Sequence, residues 1–151
     1  MIEVVPARAK HVNTIAKRMR AIDILECQVM GHTPKDALRT GLIGSTLAWT
    51  VLIDGHPEAM MGASPISITE GRGRPWLLMT DVAARQMVSL VRLGARYTYV
   101  MHQQFPVLEN WIHAENGRSM RWLARLGYTI GAVDVIRGQP MRRFIRAKEQ
   151  R

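Results

Sequence analysis

Hydrophobic and polar positions change their spacing along the chain, and each change predicts a new element of secondary structure. Residues 2–5 are rich in β-branched side chains and predict a first strand. Apolar positions within residues 10–30 follow the spacing of one amphipathic helix. A second helix is expected to start at Thr33, because Pro34 and Asp36 follow it at the positions that favour helix initiation.

The middle of the sequence predicts a run of strands. Residues 45–53 have the continuous apolar character of a buried strand, and residues 58–68 return as its antiparallel partner after a tight turn. We expect residues 70–75, Glu-Gly-Arg-Gly-Arg-Pro, to form a loop. A fourth strand is predicted at residues 76–79.

A long helix is predicted next, from about Val82 to Met101. Its buried face is expected to carry Ala84, Met87, Val88, Val91 and Ala95. A fifth strand at 107–113, a short helix at 115–126 and a final strand pair complete the order β-α-α-β-β-β-α-β-α-β-β. This order indicates an α+β fold, a mixed sheet with helices on both faces, and we expect residues 1–151 to form a single domain.

The composition fits one globular domain and excludes several other classes of protein. The chain has 151 residues, of which 47% are hydrophobic, and it contains no low-complexity block. The N-terminus has no secretory signal pattern, and the longest apolar run is too short to span a bilayer. Cys27 is the only cysteine, so an internal disulfide is excluded and a buried, unreactive thiol is expected.

The formal charge of +9 is concentrated in the C-terminal part of the chain. Residues 115–151 hold nine Lys or Arg against three acidic residues. Such a surface attracts nucleic acid or an acidic protein, although an ordinary solvated helix face is the alternative. The arginines expected to form this basic patch are Arg118, Arg121, Arg125, Arg142, Arg143 and Arg146.

Few side chains are candidates for acid–base chemistry. Asp23 and Glu26 are neighbours on one helical face, where they would form an acid–base or metal pair, a solvated acidic edge, or partners for nearby arginines. His113 closes the fifth strand and is the best single candidate for a base, with hydrogen bonding to backbone or water as the alternative. The five histidines lack metal-ligand spacing, so no metal site is predicted.

The C-terminal part resembles the GNAT acyltransferases, and the element order extends this resemblance over nearly the whole chain. The family motif N-x-x-[AS]-x-x-x-Y-x-x-x-G-[FY] follows the fifth strand, and Asn116, Ser119, Gly127 and Tyr128 match it here. The resemblance implies that Asn116 and Ser119 lie beside the pantetheine and phosphates of acetyl-CoA. It also implies that Arg85 could offer one charge to the phosphates.

Two departures from the GNAT pattern predict lost chemistry. The family's general-acid tyrosine falls at Leu123, which cannot give a proton to a departing thiolate. The family's phosphate loop, Q/R-x-x-G-x-G/A, corresponds to residues 78–86, which contain no glycine. Asp81 is expected near the helix cap, where it would repel a phosphate. We therefore expect no cofactor, with acetyl-CoA as the alternative.

A closer resemblance is to the small internal virion (core) proteins of short-tailed phages of the T-seven group, which carry a diverged GNAT-like fold. It rests on Asp-Ile-Leu-Glu at 23–26 followed by Gly31, on Trp76 with Thr80 and Asp81, and on leucine at the tyrosine position. The resemblance implies a virion-associated or assembly protein that acts by binding protein or DNA. Its expected location is the phage virion or the host cytoplasm.

The resemblance also implies the partners, which are other virion proteins (portal, core or head–tail components) and packaged DNA. Two alternatives stay open. One is an active N-acetyltransferase that uses acetyl-CoA, with His113 or a glutamate as base and water as proton donor. The other is a basic DNA-binding accessory protein.

Overall fold

The computed structural model describes residues 1–149, and within them the chain forms seven strands and six helices. In chain order these are β1 (Ile2–Pro6), α1 (Ala9–Lys17), α2 (Ala21–Val29), α3 (Pro34–Gly44), β2 (Leu47–Ile53), β3 (His56–Ser67), β4 (Arg72–Met79), α4 (Asp81–Ala84), α5 (Val91–Gln104), β5 (Val107–His113), α6 (Gly117–Arg125), β6 (Thr129–Ile136) and β7 (Gln139–Ala147).

The strands form one mixed sheet in the order β1-β2-β3-β4-β5-β7-β6. β4 and β5 run parallel, whereas β1 with β2, β2 with β3, β5 with β7 and β6 with β7 pair antiparallel. The predicted α+β class with a mixed sheet is therefore confirmed. The chain divides into two compact units, residues 1–64 with 76–86 and residues 65–75 with the chain from 87 onward. A single domain over 1–151 stays a prediction.

An apolar core cluster lies in the first unit. Its buried members are Val12, Ile15, Met19, Cys27, Leu38 and Met60. Burial raises the pKa of the Cys27 thiol to about 12, so this thiol stays protonated and unreactive, as the sequence predicts. The predicted start of α3 is also confirmed, because the Thr33 side chain accepts the Asp36 backbone N–H at 3.2 Å.

The helix predicted over residues 10–30 is interrupted in the structure. α1 ends at Lys17 and α2 begins at Ala21. Between them Met19 forms a β-bridge with Thr80, and the Arg20 backbone N–H donates to the Met79 carbonyl at 3.0 Å. The backbone therefore leaves the helix to bond to the end of β4, and the apolar spacing does not reveal this tertiary contact.

The prediction of one long helix from Val82 to Met101 is also wrong. The structure has a one-turn helix at Asp81–Ala84 and begins α5 only at Val91. This break changes the helical phase, so Val88 is 77% exposed although the spacing predicts it in the core. Ala84 and Met87 are buried as expected, Val91 is half-buried and Ala95 is exposed. The buried residues of α5 are Gly94, Thr98, Met101 and His102.

The loop predicted at residues 70–75 is in large part strand, because β4 starts at Arg72. Arg72 pairs with Val107 and Gly73 pairs with Leu108 in the parallel register. A β-carbon at Gly73 would approach the Phe105 β-carbon within 2.9 Å. The glycine that suggested a turn is therefore needed for close packing inside a strand.

Helices α5 and α6 pack against each other in the second unit. A β-carbon at Gly94 would come within 2.5 Å of the Trp122 indole, so the two helices approach closely there. Behind them, Tyr128 and Phe144 form an edge-to-face ring pair with centroids 5.3 Å apart. This packing fixes the position of α6 on β7.

Candidate functional site

A buried polar cluster lies at the end of β4 in the first unit. Asp23 is 1% exposed, and its carboxylate accepts the Met79 backbone N–H at 2.9 Å and lies 3.0 Å from the Arg20 guanidinium. Burial raises the pKa of Asp23, against the opposing effects of Arg20 and the Met79 N–H. The carboxylate thus ties the start of α2 to the end of β4.

Glu58, which the sequence pattern did not single out, is a second buried carboxylate in this cluster. It is 3% exposed and forms a bidentate ion pair with Arg18, with N–O distances of 2.5 and 3.1 Å. The Thr80 hydroxyl donates to the same carboxylate at 3.1 Å. The sequence did contain a signal for this ion pair, which is a glutamate directly before the apolar run Ala-Met-Met. A carboxylate in a buried strand requires a partner.

Glu26 lies half-buried on α2, one turn after Asp23. Among the alternatives predicted for Asp23 and Glu26, the structure shows an arginine partner for Asp23, which is Arg20. Within residues 1–149, no three or more His, Cys, Asp or Glu side chains come together in a metal-binding arrangement.

His113 is buried at the end of β5, with both ring nitrogens hydrogen-bonded. Its Nδ1 accepts the Glu115 backbone N–H at 3.1 Å, so the proton lies on Nε2, which donates to the Gln139 side-chain oxygen at 2.9 Å. The ring is 1% exposed. This arrangement corresponds to the backbone-bonded alternative for His113, and it leaves no ring nitrogen directed at a substrate.

Asn116 and Ser119 begin α6, as the motif indicates. The Asn116 side-chain oxygen accepts the Ser119 backbone N–H at 3.4 Å and caps the helix. Both residues are buried, at 4% and 7% exposed. Leu123 lies further along α6 and is 8% exposed, and its match to the family's tyrosine position stays a prediction. The roles of Asn116 and Ser119 toward a cofactor stay predictions.

The start of α5 requires a correction to the expected phosphate loop. Asp81 begins the one-turn helix α4 and lies ten residues before Val91, where the long helix starts. The carboxylate expected to repel phosphate therefore does not cap the long helix. Arg85 is exposed at the end of α4, and the first turn of α5 contains no acidic residue but does contain the exposed Arg92.

Arginines also define the outer surface of the two helices in the second unit. Arg118, Arg121 and Arg125 are exposed along α6, as the stripe predicts. α5 adds the exposed Arg92 and Arg96, which the sequence pattern did not assign to the patch. Neither helix contains an acidic residue. This surface and its expected anionic partner stay predictions.

The three arginines on β7 are held by partners in the same unit. Arg142 donates to a β6 backbone carbonyl at 2.7 Å, and Arg146 donates to the carbonyl at the end of α6 at 2.9 Å. Arg143 and Arg72 both pair with Glu109. Burial acts to raise the pKa of Glu109, but the two guanidinium groups outweigh it and the pKa is lowered. Partners within the fold thus engage these three arginines.

Within residues 1–149 no helix is both long enough and apolar enough to cross a membrane. Sequence comparisons find neither a matching family model nor a matching curated protein. Similarity appears at the level of structure, where the chain shares the fold of N-acetyltransferases.

Three solved structures illustrate this likeness. A ribosomal-protein alanine N-acetyltransferase from Escherichia coli is 9% identical, with a TM-score of 0.72 over 100% of this chain and 96% of that one. A GCN5-related N-acetyltransferase from Brucella melitensis is 16% identical, with a TM-score of 0.65 over 97% and 75%. An aminoglycoside acetyltransferase in complex with coenzyme A is 10% identical, with a TM-score of 0.68 over 98% and 95%.

These likenesses show the GNAT fold over the whole chain. They overturn the expectation of a phage virion or assembly protein, because the similar structures are N-acetyltransferases and none supports a virion role. The error has a physical source. The phage resemblance rested on short residue matches at 23–31 and 76–81 and on Leu123, and such matches do not determine what a fold does.

Proposed function

We propose that this protein is an N-acyltransferase that transfers an acyl group from acetyl-CoA to an amine. The observation that carries the proposal is the start of α5, a helix of 14 residues in the second unit. Among the described residues, the backbone N–H groups of Arg92 and Leu93 have no acceptor. The N-terminus of a helix with free N–H groups and a nearby cation attracts phosphate.

The residues around the start of α5 have a charge that suits a diphosphate, but their side chains leave it only part of the space it needs. Gln86, Ser89 and Val91 have the spacing of Q-x-x-G-x-G/A, so two side chains replace the glycines that would let a phosphate approach the backbone. Ser89 is exposed and its hydroxyl can donate to a phosphate oxygen. The branched Val91 hinders the approach, and we expect affinity for acetyl-CoA roughly tenfold below that of a glycine loop.

The proposed reaction uses neither His113 as the base nor a proton donor at position 123. The amine nitrogen attacks the thioester carbonyl, the carbon–sulfur bond breaks, and coenzyme A leaves as a thiolate. His113 has both nitrogens occupied and Leu123 has no proton to give. In this proposal water or a glutamate takes the amine proton and water protonates the thiolate, which is a good leaving group because a thiol pKa is only about 8.5.

Likeness to the N-acetyltransferases supports the reaction type, and the coenzyme A complex among them supports the donor. Two of these proteins are named for the acceptor class they modify, a ribosomal-protein alanine and an aminoglycoside. Both acceptor classes carry amines. We therefore use an aminoglycoside and a peptide with an N-terminal alanine as acceptor probes.

Binding and turnover of acetyl-CoA test the proposal separately. Calorimetry should detect binding that Arg92→Glu weakens at least about tenfold, equivalent to one lost charge-assisted contact. Arg74→Glu is the matched control, because Arg74 is exposed on β4 of the same unit. Release of free thiol in the presence of an acceptor amine then measures turnover. Absence of both heat and a shift in melting temperature at about 1 mM acetyl-CoA would overturn the proposal.

A further inference from the structure

α1 and α3 pack side by side in the first unit and leave a groove between them. Its volume is about 210 Å³. The residues that line it are Ala9, Val12, Asn13, Arg39, Leu42 and Ile43. None of these residues has a role in the acyl transfer proposed above, so a ligand of this groove would be independent of that reaction.

The floor and one wall of the groove are apolar. Val12 is 3% exposed at the floor, and Leu42 is half-buried beside it. Ile43 is 85% exposed, although a large branched side chain gains free energy when it is removed from water. An occupant with an apolar body would cover Ile43 and remove it from water.

The rim of the groove is polar and cationic. Arg39 is exposed, and among the described residues it has no ion-pair partner, even though Asp36 lies one turn away on α3. Asn13 supplies an amide that can donate a hydrogen bond. No acidic residue occurs between Glu3 and Asp23, so the α1 side of the groove is entirely basic or neutral.

We infer that this groove binds a small apolar carboxylate, with its chain on Val12 and Ile43 and its carboxylate at Arg39. Charge complementarity selects an anion, because the rim offers an unpaired guanidinium and no carboxylate among the lining residues. The size selects a ligand of about ten non-hydrogen atoms, since an apolar cavity of about 150 Å³ accommodates benzene. The expected Kd for such a ligand is on the order of 1 mM.

Octanoate is a suitable probe, with octan-1-ol as the uncharged ligand of equal chain length. Titration followed by amide NMR should shift the resonances of Val12, Leu42 and Ile43 with octanoate. Octan-1-ol should bind at least about tenfold more weakly, because it lacks the charge-assisted contact. Equal affinity of the two ligands, or no shift of these resonances at about 10 mM octanoate, would contradict the assignment.

Two variants distinguish specific recognition of the carboxylate from nonspecific hydrophobic binding. Arg39→Met keeps an unbranched apolar stem but removes the guanidinium, and it should reduce octanoate affinity to the level of octan-1-ol. Arg96→Met, on the exposed face of α5, is the matched control and should leave octanoate binding unchanged. Melting temperatures of both variants verify folding. If octanoate binds Arg39→Met as well as it binds the unaltered protein, the inference is wrong.

A short peptide that ends in leucine supplies the remaining comparison, because its C-terminus also carries an apolar group beside a carboxylate. Octanoate should bind at least as tightly as this peptide. A peptide that binds more than about tenfold tighter would overturn the assignment to a free small molecule and mark the groove as a protein contact.

Discussion

Trp76 lies against Gly62, where a β-carbon would come within 2.9 Å of the indole ring and would also collide with the Leu47 backbone carbonyl. Gly41 of α3 makes room for the same ring, because a β-carbon at this glycine would lie only 2.7 Å from the indole. The indole Nε1 donates to the Ser45 hydroxyl at 2.8 Å. The tryptophan thus joins α3 to β3 and β4 only because two glycines leave it space.

Gly62→Ala is therefore expected to destabilise the protein by about 2 kcal/mol, because the added methyl group overpacks a site bounded by paired backbone. Gly44→Ala is the control. Gly44 ends α3 and has open space around it, so alanine there should be neutral or stabilising by up to about 1 kcal/mol. Urea unfolding measures both. Equal free energies of unfolding for the two variants would show that Trp76 and the Leu47 carbonyl both move aside without cost.

Elements with strong local signals were predictable from the sequence. The capped start of α3 and all of β5, residues 107–113, lie where the pattern predicts them. Two errors came from contacts between distant parts of the chain. The bridge from Met19 to Thr80 interrupts a well-formed helical pattern, and the packing of Gly73 on Phe105 places a strand where glycine suggests a loop.

Among the candidate site residues, local interactions were likewise predictable from the sequence and interactions between distant residues were not. The cap formed by Asn116 was predictable, because a local side-chain bond makes it. The pairing of Glu58 with Arg18 was not, because it spans 40 positions of the chain. The true start of α5 at Val91 was also hidden, since Ala84 and Met87 continue the helical spacing across the break.

The ion pair between Asp23 and Arg20 gives a second stability prediction. Arg20 is 7% exposed, so Asp23→Asn would leave a buried cation without its carboxylate while keeping an acceptor for the Met79 N–H. We expect a loss of about 3 kcal/mol in the free energy of unfolding. Asp134→Asn is the matched control, because Asp134 is exposed and its bond to the Val135 N–H can be kept by asparagine. A loss of less than about 1 kcal/mol would mean that Arg20 finds other compensation.

His102 makes stability depend on pH. It is 2% exposed, and its Nδ1 donates to the Phe105 carbonyl at 2.9 Å. Burial lowers its pKa below the usual 6.5, the bond to Phe105 opposes this, and the cations Arg146 and Lys148 lower it further. The unfolded chain therefore binds this proton more readily than the folded one does. The contribution to stability is complete above pH 6.5 and is lost as the pH falls from 6.5 toward the folded pKa.

His102→Asn keeps a donor for the Phe105 carbonyl and removes the titrating group. Unfolding in urea at several values between pH 8 and pH 5 should show a smaller decline for this variant than for the unaltered protein. The difference in slope should not exceed about 1.4 kcal/mol per pH unit, the limit for one proton. His11, whose pKa is also lowered by burial, is present in both proteins and cancels in the comparison. Parallel pH dependences would exclude His102 as the source.

Leu123 offers a direct test of the proposed water-dependent chemistry. If acyl transfer lacks only a general acid at this position, Leu123→Tyr should raise turnover of acetyl-CoA by at least about tenfold, since a positioned acid typically contributes more than that. Leu123→Phe is the matched control, because it adds the same ring without the hydroxyl and should leave turnover near the starting value. Equal rates for the tyrosine and phenylalanine variants would show that a hydroxyl at this place on α6 does not reach the leaving group. In that case another step limits turnover. The kcat measured from thiol release at saturating acetyl-CoA would then be unchanged.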